Sequence, residues 1–161
     1  MALRPTLICD DQVAFAVVGS SLSVLMVDAV PWTPALVDAL YDETAAHHPR
    51  VPHGLAVILG DPPAAAARVR MGERQREIED GGTFDTMQYT AVVIESGMAR
   101  GILTAFGWLT RLQKTRAFAP GNEVEAIAWL CGQVGGDPDA LFEAMRGCRA
   151  AIRGRRPSKT G

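Results

Sequence analysis

A chain of 161 residues with 48% hydrophobic and 21% charged residues has the size and composition of one compact domain with a buried core. Its formal net charge of −2 supplies no global attraction to nucleic acid or to an anionic membrane, so an electrostatic partner must be sought in a local patch. Cys9, Cys131 and Cys148 lack the paired spacing of a disulfide framework or a zinc site, no apolar run approaches the ~20 residues of a membrane span, and residues 1–11 lack the form of a signal peptide, which together read as a soluble cytoplasmic protein with free thiols.

Val13-Ala14-Phe15-Ala16-Val17-Val18 reads as a strand, Gly19-Ser20-Ser21 as a turn, and 22–30 as a second apolar run. Strands joined so tightly are antiparallel neighbours, because a parallel pair needs a long crossover. Thr33 can then cap a helix with Pro34 at its first position and Trp32 and Val37 as a hydrophobic staple. Leu36, Val37, Leu40, Tyr41 and Thr44 mark its buried face, and it ends before Pro49. Leu55-Ala56-Val57-Ile58-Leu59 has the continuous apolar character of a central strand covered on both faces, and Gly60-Asp61-Pro62-Pro63 ends it. The helix expected over 64–80 has a thin inner stripe of Ala64, Ala67, Met71 and Ile78 under a charged outer face.

Residues 88–94 form a β-branched and aromatic strand, and Glu95-Ser96-Gly97 breaks it into a helix with an apolar stripe from Met98 to Leu112. Arg116-Ala117-Phe118-Ala119 is a short edge strand. Asn122 and Glu125 have the spacing of a capping box for a helix carrying Val124, Ile127, Ala128, Trp129 and Cys131, which Gly135-Gly136 ends. Asp137-Pro138 opens a last helix with Leu141, Phe142, Met145 and Ile152, and 153–161 is expected to be a basic disordered tail. The expected fold is a single-domain α/β mixed sheet of about five strands with an antiparallel N-terminal hairpin, four helices and an extra C-terminal helix. Residues 1–134 would form the domain and 135–161 the added helix and tail.

This order, β-β-α-β-α-β-α-β-α, resembles the STAS domain, the fold of bacterial anti-sigma-factor antagonists. The resemblance covers about residues 13–130 and is clearest over 89–130. In that family a serine or threonine at the start of the helix after the third strand is phosphorylated by a partner kinase. The matching turn here is Gly60-Asp61-Pro62-Pro63 followed by four alanines, with no hydroxyl to accept phosphate. The resemblance therefore implies a partner-binding module without that phosphoswitch.

No catalytic or metal-binding motif stands out. His47, His48 and His53 lie in His47-His48-Pro49-Arg50-Val51-Pro52-His53, where no acidic residue or cysteine completes a ligand set, so a surface loop without metal is expected. Ser96 lacks the flanking glycines of a nucleophile elbow and reads as a helix cap, or as an anion site with Gly97 at a helix N-terminus. The basic residues Arg146, Arg149, Arg153, Arg155, Arg156 and Lys159 have no interleaved aromatics and make nucleic-acid contact a minor reading. The leading expectation is a non-catalytic regulatory or scaffolding protein-interaction module of a bacterial signalling or assembly system, without cofactor. Asp61, Arg68, Arg70, Arg74 and Arg76 would bind the partner, and charge reversal of Arg70 and Arg74 together is expected to weaken its capture at unchanged thermal stability. The alternative is a small-ligand or anion-binding protein, or an enzyme, with its site at the Gly60-Asp61 and Glu95-Ser96 turns.

Overall fold

Six strands form one sheet in the order in which they occur along the chain: β1 (Thr6–Ile8), β2 (Val13–Val18), β3 (Leu22–Val27), β4 (His53–Ile58), β5 (Thr90–Ile94) and β6 (Thr115–Phe118). The helices with described bounds are α1 (Pro34–His47), α2 (Ala65–Asp80), α3 (Glu123–Val134) and α4 (Pro138–Arg155). The structure, a computed structural model, describes residues 6–8, 12–19, 21–28, 32–47, 53–60, 63–80, 89–95, 97, 100 and 114–155. The helix expected over 98–112 lies outside the described residues.

β1, β2 and β3 pair antiparallel, and β3 to β6 pair parallel. Parallel neighbours need a crossover, and right-handed crossovers that step the same way across a sheet deposit their helices on one face. That is where α1 and α2 lie, packed on each other, while α3 and α4 follow β6 and cover the opposite face. The two-residue strand period sorts the core accordingly. Ala14, Ala16 and Val18, Leu22, Val24 and Met26, Leu55 and Val57, Ala91 and Val93 point toward α3 and α4. Val13 and Val27 join Trp32, Leu36, Val37, Leu40 and Ala67 on the other side.

The expected mixed α/β sheet with its N-terminal hairpin is present. β1 adds a sixth strand beside the hairpin, a three-residue stretch too short to show periodicity in the sequence. β4 differs from its expected double burial, since Leu55 and Val57 are buried while Ala56 and Ile58 are half-covered. His53 opens this strand instead of closing the loop expected there, and His47 ends α1.

Capping chemistry explains two of the helix starts. Thr33 Oγ1 accepts the Leu36 N–H at 3.1 Å, and Trp32 and Val37 meet in one apolar cluster as the staple requires. Asp137 Oδ1 likewise accepts the Asp139 N–H at 3.0 Å at the start of α4. The expected capping box at α3 does not form, because Asn122 sits at φ −103° and ψ 25° and makes no side-chain cap bond. Gly135, at φ 75°, ends α3 with its N–H bonded to Cys131 O at 2.8 Å. At Gly136 next to it, a Cβ would require the Leu22 side chain to shift.

The last helix is not the appendage expected for 135–161. α4 packs on β2 and β3 and buries Leu141, Ala144, Met145, Cys148 and Ile152 in the main core. The helix also runs through Arg153 to Arg155, where a disordered tail was expected.

Candidate functional site

The charged face of α2 is only partly available to a partner. Arg70 Nε binds Asp38 Oδ1 at 2.8 Å, and Arg74 reaches the same oxygen at 3.2 Å and Asp42 Oδ1 at 2.7 Å. Arg70 also meets Glu73 at 3.0 Å. The Arg74 guanidinium lies 5.7 Å from the centre of the Tyr41 ring, and the Tyr41 hydroxyl donates to Met71 O at 3.2 Å. The hydrogen bond from Arg70, aided by the charges of both arginines, holds the Asp38 carboxyl below its ordinary pKa. Two residues expected to bind a partner thus fasten α1 to α2 from within the molecule. Their side chains reach across because Asp38 and Asp42 lie one turn apart on α1, as Arg70 and Arg74 do on α2. With these contacts in place, reversing both charges is expected to lower stability, contrary to the sequence expectation. Arg68 and Arg76 remain exposed, with Val69 between them 61% exposed. Asp61 lies outside the described residues.

The strand-end turns of the alternative reading follow the adjacent ends of β4 and β5, where Ile58 is paired with Ile94. Gly60 takes φ 86°, as a tight strand exit demands, and Glu95 and Gly97 are exposed, while Ser96 is outside the described residues. Arg100 is turned inward here: its Nη1 donates to Ile94 O at 2.8 Å and Glu95 O at 2.9 Å.

His53 has a defined structural task. Its Nδ1 accepts the Tyr89 N–H at 3.1 Å, which places its own ring proton on Nε2. Burial and the nearby Lys114 ammonium lower its pKa, so the neutral ring persists. From it a chain of rings crosses the α3 side of the sheet: His53 to Tyr89 at 5.8 Å, Tyr89 to Trp129 at 6.2 Å and Trp129 to Phe118 at 6.1 Å. Lys114 stands 5.4 Å from the Tyr89 ring centre and Arg116 5.1 Å from that of Phe118. Four separate segments supply this cluster, which the sequence analysis did not assemble. The i, i+2 pair Arg116 and Phe118 on one strand was the legible part of the signal.

Neither described cysteine is a reactive nucleophile. Burial pushes the Cys148 thiol up to about 12 and raises that of Cys131, so both stay protonated inside the core. Among the described residues no group of His, Cys, Asp and Glu is arranged to hold a metal, and no helix is long and apolar enough to cross a membrane. Arg146 and Arg149 of the basic C-terminal set are paired with Glu143 at 3.0 Å and Glu123 at 3.9 Å.

An open apolar groove of about 260 Å³ lies between α3 and α4, lined by Val124, Ile127, Ala128, Pro138, Asp139 and Phe142. Val124 is 67% exposed at its lip, and Ala128 is exposed beside it. The face of α3 that packs inward is Ala126, Ile127, Leu130 and Cys131. Asp139 lines the groove, and Glu125 and Asp137, next in sequence to its lining residues Val124 and Pro138, are exposed; none of the three has a cation within ion-pair distance among the described residues. No protein-family profile, curated protein or solved structure matches this chain. Its function is therefore argued from this surface chemistry.

Proposed function

We propose that this chain is a STAS-like, non-catalytic regulatory or scaffolding module of a bacterial signalling or assembly system, working in the cytoplasm by binding another protein. The α3–α4 groove carries the reading. It combines a solvent-facing valine, a half-buried phenylalanine and the Asp139 carboxylate, with Glu125 exposed next to Val124, which is the chemistry of a protein contact. Its occupant is a partner helix that sets an apolar side chain against Val124 and Phe142 and lysines or arginines against Glu125 and Asp139.

Capture on immobilised protein from the native cell, with the bound protein identified and its contact segment mapped, tests this reading. A stoichiometric partner contacting through a basic amphipathic helix is expected, and Val124→Glu should abolish its capture while changing stability by less than about 0.5 kcal/mol. Capture that ignores Val124→Glu would refute the groove. A turnover or small-ligand signal lost on mutation of Asp61 or Ser96 would return the site to the strand-end turns.

A further inference from the structure

The outer edge of β6 carries chemistry that the groove does not use. Thr90 N–H donates to Lys114 O at 2.8 Å, and the register sets Thr90 opposite Thr115 and Ala91 opposite Arg116. In a parallel ladder a residue's N–H and C=O point to the same side, and the side alternates along the strand. Arg116 therefore directs its amide groups at β5, while Thr115 and Ala117 direct theirs away from the sheet. β6 is the last strand, and among the described residues nothing bonds to these outward groups. Beside them Lys114 and Arg116 reach no carboxylate among the described residues, and each is held over an aromatic ring, those of Tyr89 and Phe118.

We propose that this edge receives an acidic, extended segment of a partner protein, which adds to the sheet alongside β6 and sets carboxylates against Lys114 and Arg116. The proposal rests on the protein-binding reading above and adds to it a second surface with its own partner chemistry. Two outward amide pairs at i, i+2 spacing match an extended backbone and no helix. A second copy of β6 is disfavoured, because it would bring the same cations against these. Nucleic acid is disfavoured because the Tyr89, Trp129 and Phe118 rings pack on one another and are at least half-covered, leaving no open face for a base.

The test uses the blocked hexapeptide Glu-Val-Glu-Val-Glu-Val with the full chain, followed by titration and by amide hydrogen exchange. Saturating peptide should slow exchange at Thr115 and Ala117 and leave Arg116, already bonded to β5, unchanged. The double variant Lys114→Glu, Arg116→Glu should bind it at least about tenfold more weakly and should instead bind Lys-Val-Lys-Val-Lys-Val. Ala117→Pro, which removes an outward donor with the charges intact, should also lose binding. Melting curves confirm that each variant is folded, and the charge swap reports on the edge even if the proline variant is not. Absence of binding, binding without protection of the two amides, tighter binding of an oligothymidylate, or a dimer that protects the same amides without peptide would each overturn the proposal. Val124→Glu should leave peptide binding unchanged, so the edge and the groove stand or fall separately.

Discussion

The two sides of the sheet are covered by different means. On one, α1 and α2 bury a modest cluster around Trp32, Val37 and Ala67 and are bracketed by Asp38, Asp42, Arg70 and Arg74 at the margin. On the other, α3 and α4 lay Ile127, Leu130, Leu141, Met145, Cys148 and Ile152 over the inward residues of five strands. The first side uses its arginines to hold itself together. The second packs its interior with apolar side chains, pairs Glu123 with Arg149 and Glu143 with Arg146, and leaves Glu125, Asp139, its exposed valine and the β6 edge to the outside. Surface charge thus indicates a partner only where no internal partner has claimed it.

The comparison can be broken most directly at Leu141, which is fully buried on α4. Leu141→Ala should cost about 2–5 kcal/mol in urea unfolding, the range for a core cavity. A cost below about 1 kcal/mol would make α4 the peripheral helix that the sequence suggests. Arg74→Glu comes next. It places a third carboxylate beside Asp38 and Asp42 at a side chain only 17% exposed, and should destabilise by about 1–2 kcal/mol, less at high salt. Unchanged stability would mean that the bracket is incidental.

A smaller effect separates the two sides by pH. His53, on the α3 side, has a folded pKa lowered from 6.5, so the unfolded chain takes up a proton first. Its stabilising contribution is present above 6.5 and is lost as pH falls through the lower folded value, when Nδ1 ceases to accept from Tyr89. Asp38, on the α1 side, has a pKa lowered from 3.8, and its contribution is present above that value and lost on further acidification through the folded one. Urea midpoints measured across both windows should show His53→Gln flattening the first and sparing the second, with Asp38→Asn doing the reverse.

Much of the architecture was legible because it depends on local pattern. Alternating and continuous apolar runs marked β2 through β6, Thr33-Pro34 and Trp32 with Val37 marked the start of α1, and Gly135 marked the end of α3. A capping box at Asn122 was equally legible and did not form. Its spacing is a necessary condition, and the backbone dihedral at Asn122 decides whether the side chain can reach the helix.

The sequence by itself determined an α/β chain opening with a hairpin, because element type follows from periodicity and turn chemistry within a few residues. It also determined that the turn before α2 offers prolines where a phosphate would need a hydroxyl. Only the tertiary structure decided which polar groups are used internally. Asp38 meets Arg70 across 32 positions and His53 meets Tyr89 across 36, and such encounters depend on how α1 lies on α2 and β4 beside β5. The same packing leaves Val124 outside while Ile127, three residues on, is buried, since a helix face has no inside until another helix lies against it.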